Sequence, residues 1–200
     1  MKNKILHNAT DMFLNIGFKS ITMDDISNHI GISKKTIYQH FDNKTTLVEA
    51  VSLHVFNTIS CGITDICSTK KDPIEEIFDI KQFVMEHLKD EKSSPQYQLQ
   101  KYYPKIFNTL KKKQFDVMQQ CVKDNLLRGV EIGLYRPSIN IEFISRIYFS
   151  SMVAIKDKEL FPVHHFSVNT LMVYFLEYHL RGICTEKGLL TLNKFIKNQS

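Results

Sequence analysis

Residues 33–40 place a serine, two lysines, a threonine, a tyrosine, a glutamine and a histidine around a single isoleucine, as Ser33, Lys34, Lys35, Thr36, Ile37, Tyr38, Gln39 and His40. These residue types can meet a polyanion. Lysines supply point charges, and the tyrosine and threonine hydroxyls can bond phosphate oxygens. A glutamine side chain can read an adenine edge, and a threonine methyl can touch a thymine methyl. If 34–40 is a short helix, Ile37 and Phe41 turn inward. Lys34, Lys35, Tyr38 and Gln39 then lie on the outer face, flanked by Thr36 and His40. The helix N-terminus adds unpaired N–H groups and partial positive charge. Lys44 opens the next helix, where a second N-terminus can hold a backbone phosphate.

That face needs elements to carry it. The pair Thr22 and Asp25 forms a capping box before Ile26, which predicts a helix over about 23–30. Gly31 supplies a flexible break, Ser33 a helix N-cap and Asn43 another. Two helices joined by a tight "GIS" turn have helix-turn-helix spacing. Upstream, Ile5, Ala9, Met12, Phe13 and Ile16 recur at helical spacing up to Gly17.

Helical periodicity continues through 74–89, a long stretch from about 96 to 133, 140–155, 167–182 and 186–197, and strand-type alternation is absent. The chain reads as all-α, with nine or ten helices. Loops are expected at 69–73, 90–96 and 135–140, with Pro73 at a helix start. The expected organisation is a three-helix unit over 1–48 and a longer helical domain over 49–200.

Composition sets the outer bounds. The 200 residues are 43% hydrophobic and 24% charged, with a formal net charge of +5. This is an ordinary globular make-up, long enough to bury a real core. Charge alone does not mark the 33–40 face as a binding site, because residues 1–50 hold six lysines against five acids. The arrangement carries the case. The four cysteines, Cys61, Cys67, Cys121 and Cys184, form no C-x-x-C pair and have no histidine at ligand spacing, so no metal or other cofactor is expected. Scattered thiols fit a reducing cytoplasm. The N-terminal stretch lacks the uninterrupted apolar core of a signal peptide, and no membrane partner is expected. No nucleophile elbow, phosphate loop or H-E-x-x-H is present, and His164 and His165 are adjacent, a poor ligand pair. The chain is read as a non-enzyme.

The stretch 5–51 resembles the DNA-binding domain of the tetracycline-repressor (TetR) family of bacterial transcriptional regulators. The resemblance rests on Ala9, Met12, Phe13, Gly17, Phe18, Thr22, Ile26, Ser27, Gly31, Ile32, Ser33, Thr36, Ile37, Tyr38, His40, Phe41, Lys44 and Leu47. It implies that Thr22 contacts phosphate and that Ser33, Lys34, Lys35 and Thr36 begin a recognition helix. It further implies that Tyr38 and His40 touch backbone oxygens and that Lys44 holds a phosphate. Two residues depart from the family pattern. Lys35 stands where glycine is common, and Thr45 replaces a frequent acidic residue.

The resemblance also implies a C-terminal helical domain for dimerisation and effector binding. The segments 141–155 and 166–181 are apolar around much of their circumference, as expected of helices that face both a core and a partner. Phe149, Met152, Leu171, Tyr174, Phe175 and Tyr178 are the candidate dimer residues. Phe83, Tyr103, Phe107, Met118 and Tyr148 are candidates for an effector pocket, the two tyrosines because a buried phenol seeks a polar partner. Functionally, the expectation is a cytoplasmic homodimer that represses transcription from double-stranded operator DNA and is released by a small apolar or amphipathic effector. The alternative is a helical dimer governed by a protein partner or by no effector.

Overall fold

A computed structural model describes residues 1–88, 95–157, 159–162 and 164–199, with the side chains of 198 and 199 outside the description. The loop expected over 90–96 therefore lies largely outside the described residues. Ten helices are found among the described residues: α1 (Lys2–Ile16), α2 (Met23–Ile30), α3 (Lys34–Tyr38), α4 (Lys44–Ser68), α5 (Pro73–His87), α6 (Pro95–Tyr102), α7 (Pro104–Glu131), α8 (Ile141–Ala154), α9 (Val168–Ile183) and α10 (Glu186–Gln199).

Their ends follow local chemistry. Asn140 and Ser167 cap α8 and α9 by accepting from Phe143 N and Thr170 N. Asp72 accepts from Ile74 N at 2.8 Å, so Pro73 takes the first helical position, where its missing N–H costs nothing. One expectation needs correction. The stretch 96–133 is not a single helix but α6 and α7, divided at Tyr103 and Pro104. Proline disfavours helical geometry in the residue before it and cannot donate to the helix ladder.

The chain divides into two compact units. The first comprises 1–59 and 85–114. Its core gathers Ile5, Ala9 and Phe13 of α1, Ile26 of α2, Ile37, Phe41, and Leu47, Val48 and Val51 of α4. Leu99, Ile106 and Leu110 from α6 and α7 join the same core. Phe18 links the segments through rings, lying 5.1 Å from Phe13 and 6.4 Å from Tyr103 between centroids.

The second unit comprises 60–84 and 115–200. Ile74, Phe78, Leu126, Tyr135, Tyr148, Leu176, Leu180 and Leu192 form its core. Within it lies a polar cluster. Glu76 is fully buried, and both its oxygens take Arg128 Nη2 at 2.5 Å. Asn125 donates to Glu76 Oε1 at 2.8 Å and to Pro73 O at 2.9 Å, and accepts from the Tyr135 hydroxyl at 3.1 Å. A buried carboxylate is tolerated only with such partners.

By length and composition α4 is apolar enough to cross a membrane, with a mean hydropathy of 1.3 over its best window. Part of that apolar content is accounted for inside the first unit, where Leu47, Val48 and Val51 are buried.

Candidate nucleic-acid interface

The interface is built from α2, a three-residue turn and α3. Thr22 and Asp25 form the reciprocal cap of α2: Asp25 N donates to Thr22 Oγ1 at 3.1 Å, and Thr22 N donates to Asp25 Oδ2 at 2.8 Å. The Thr22 hydroxyl also donates to Asp25 Oδ2 at 2.7 Å, and this bond, with the one from Thr22 N, holds the Asp25 pKa below the usual range. At the other end Gly31 adopts φ 71°, ψ 40°, and its N–H bonds Asn28 O and Ser27 O. Space is not the constraint there, since a Cβ would meet nothing within 4 Å. The left-handed backbone is what favours glycine.

Ser33 caps α3 by accepting from Thr36 N at 3.1 Å. The helix is shorter than the expected 34–40, with five residues from Lys34 to Tyr38. His40 N bonds Ile37 O and Phe41 N bonds Ile37 O, so the chain tightens into a turn after Gln39. The inward side holds as expected. Ile37 and Phe41 are buried, the latter beneath the Lys2 ammonium, 5.6 Å from its ring centroid. Ser33, Lys34, Lys35, Tyr38 and Gln39 are exposed, Tyr38 at 42%, and Thr36 and His40 are half-buried beside them. Thr22 is exposed as well.

Two lysines are not simply solvated. Lys34 Nζ reaches back to Asp24 Oδ2 at 2.8 Å, tying α3 to α2, and this bond raises the lysine pKa. Lys44 is half-buried, and its Nζ donates to Lys19 O at 3.3 Å. Burial lowers its pKa, and Asp25 opposes that shift. Lys35 makes no ion pair with the described residues. Asn43 caps α4 by accepting from Thr46 N at 2.9 Å, which leaves Lys44 at the first helical position.

Sequence reasoning missed Asp24 and Lys19. The ammonium of Lys19 lies 5.0 Å from the Tyr102 ring centroid, and that of Lys101 lies 5.7 Å from it. Tyr102 is 83 residues from Lys19 in the chain, so no local signal joins them.

A family model for bacterial regulatory proteins of the tetR family matches residues 5–51, the span that holds this interface. Residues 5–51 thus form a domain of the tetR family. A biofilm operon icaADBC HTH-type negative transcriptional regulator, IcaR, from Staphylococcus epidermidis is 39% identical over 57 residues, which is 28% of this chain and 31% of that protein. The match therefore spans about a third of that curated relative's length. Solved structures share the fold more widely. A TetR family transcriptional regulator from Agrobacterium tumefaciens aligns over 92% of this chain and 97% of its own, with TM-score 0.70 and 16% identity. The ketosteroid transcriptional regulator KstR2 of Mycobacterium tuberculosis aligns over 92% and 95%, with TM-score 0.59 and 19% identity. After this tetR-type domain the chain continues into a C-terminal helical region that shares the fold of these solved structures.

The other candidate residues fall into separate places. Tyr103 and Phe107 pack on the core of the first unit. Met118, Met152 and Phe175 pack on the core of the second, where Tyr148 is buried. The Phe83 ring lies over Gly62, where a Cβ would come within 2.0 Å of it. Among the candidate dimer residues, Phe149 and Leu171 are buried within this one chain, whereas Tyr174 and Tyr178 are 62% and 79% exposed. Phe143 and Ile147 on α8 and Val173 on α9 are exposed as well.

Proposed function

We propose that this tetR-family chain is a homodimeric, DNA-binding transcriptional repressor that works in the cytoplasm and is released from operator DNA by a small apolar or amphipathic effector. The observation that carries the reading is the exposed polar face of α3, held outward by the buried Ile37 and Phe41 at the end of a capped helix-turn-helix.

In this reading the residues divide the work. Thr22, Tyr38, His40 and Lys44 take phosphate oxygens and set the register of the protein on the duplex. Gln39 and Thr36 face base edges in the major groove. Lys34, already paired with Asp24, fixes α3 against α2 and contributes charge. Lys35 projects a long cation where many relatives carry no side chain, and serves a phosphate or a base edge. Ser33 holds the helix end that points at the DNA.

Two recognition helices must reach successive major grooves about 34–36 Å apart, which calls for a dimer. The exposed apolar stripe of Tyr174 and Tyr178 on α9, with Phe143 and Ile147 on α8, supports that assembly. Single exposed apolar residues are ordinary, but a stripe at i, i+4 spacing on neighbouring helices marks a contact surface. Effector binding is assigned to the second unit, around Phe83, Met118 and Tyr148. The effector acts by binding one of two states better than the other.

A gel-shift titration over DNA upstream of the protein's own coding region tests the reading. Specific retardation that weakens steeply with salt is expected. Absent or salt-insensitive binding to every fragment of that region refutes it.

A further inference from the structure

Two of the four thiols, 54 residues apart in the chain, lie side by side in the second unit. Cys67, in the last turn of α4, and Cys121, in the middle of α7, have their sulfurs 3.3 Å apart and share an S–H···S hydrogen bond. Both are half-buried. Neither other cysteine has this arrangement. Cys61 is exposed on α4 six residues earlier, which a helix of about 100° per residue turns to a different side. Cys184 is buried at the C-terminal end of α9. A metal site does not explain the pair, since no third histidine, cysteine, aspartate or glutamate joins it among the described residues.

We propose that Cys67 and Cys121 form a reversible oxidation site, at which hydrogen peroxide converts the two thiols into an intramolecular disulfide tying α4 to α7. The sulfurs need to close only from van der Waals contact to about 2.05 Å. The site is independent of the reading of the chain as a repressor.

The surroundings assign the roles. The hydrogen bond from Cys121 favours the Cys67 thiolate and lowers its pKa. Arg128 acts in the same direction, while burial, Glu76 and Asp124 oppose it. The same contact and burial raise the Cys121 pKa. Cys67, the less buried of the two sulfurs, is the attacking thiol, and the shared hydrogen bond favours its thiolate. Its thiolate attacks one peroxide oxygen. An S–O bond forms, the O–O bond breaks, and the departing hydroxide takes a proton to become water, leaving a sulfenic acid on Cys67. Cys121, losing its proton to solvent, then attacks that sulfur. The S–S bond forms, the S–O bond breaks, and a second water leaves. Two thiols lose two electrons and two protons, and the peroxide is reduced to two waters.

The test uses the full chain, hydrogen peroxide and cleavage before aspartate. Cutting before Asp65 separates Cys61 from Cys67, and the diagnostic peptides are 65–71 and 116–123. Peroxide should lower the free-thiol count from four to two and join these two peptides, and dithiothreitol should reverse both changes. In Cys121→Ser, dimedone should trap a sulfenic acid on Cys67 with no cross-link. In Cys67→Ser, Cys121 should keep its thiol at the same dose. A disulfide through Cys61 or Cys184, a cross-link between two chains, or four intact thiols at a dose that oxidises free cysteine overturns the proposal. Dimedone labelling of Cys121 rather than Cys67 in the two variants overturns the assigned roles.

Discussion

His179 on α9 is 7% exposed, and its Nε2 is buried with no hydrogen-bond partner among the described residues. Its ring lies 5.1 Å from that of Tyr148 and 5.7 Å from that of Phe175, between centroids. Burial pulls its pKa from the usual 6.5 down to about 4. The unfolded chain therefore takes up this proton at higher pH than the folded one. The stabilising effect of a neutral His179 is fully present above about pH 6.5 and is lost as the pH falls towards about 4. Each unit of pKa difference corresponds to about 1.4 kcal/mol, so moving from about pH 7 to about pH 5 should cost about 2 kcal/mol at this one site. His179→Phe keeps an aromatic ring and removes the titration. Urea unfolding at fixed protein concentration, followed by far-UV circular dichroism because the chain has no tryptophan, measures both proteins at both pH values. The wild type should lose about 2 kcal/mol more than the variant on acidification. Equal losses refute the inference that His179 is buried neutral.

Three further outcomes are expected. Gly31→Ala should lower the unfolding free energy from urea titration by about 1 kcal/mol, because alanine must adopt φ 71° there although nothing blocks its Cβ. Arg128→Met should cost about 3–5 kcal/mol in the same assay, since it leaves the fully buried Glu76 carboxylate without its cation; a loss under about 1 kcal/mol would show that Asn125 suffices. In binding titrations Lys44→Ala should weaken binding to all sequences and reduce the salt slope by about 1, whereas Gln39→Ala should change preference among sequences; uniform loss in both would remove the assigned division between phosphate and base contacts.

Several features of this protein were legible in its residues because their causes are local. The capping box of Thr22 and Asp25, the left-handed Gly31, the Ser33 cap and the inward pair Ile37 and Phe41 all act within a few residues, so order and spacing determine them. The same locality made the helices of the C-terminal region readable from periodicity. It failed at Tyr103 and Pro104, where the apolar pattern runs on although proline breaks the helix ladder. Periodicity also overextended α3, because the chain tightens into a turn while Phe41 still packs inward.

What the tertiary structure alone decided concerns partners distant in sequence. Only the folded chain brings Leu99, Ile106 and Leu110 to the core of the N-terminal helices, sets Glu76 against Arg128 and Asn125, and makes Phe149 and Leu171 core residues while Tyr174 and Tyr178 stay exposed. Cys67 and Cys121 looked like scattered thiols for the same reason: a sulfur's neighbour across two helices is set by how the helices pack, and no spacing along the chain encodes it.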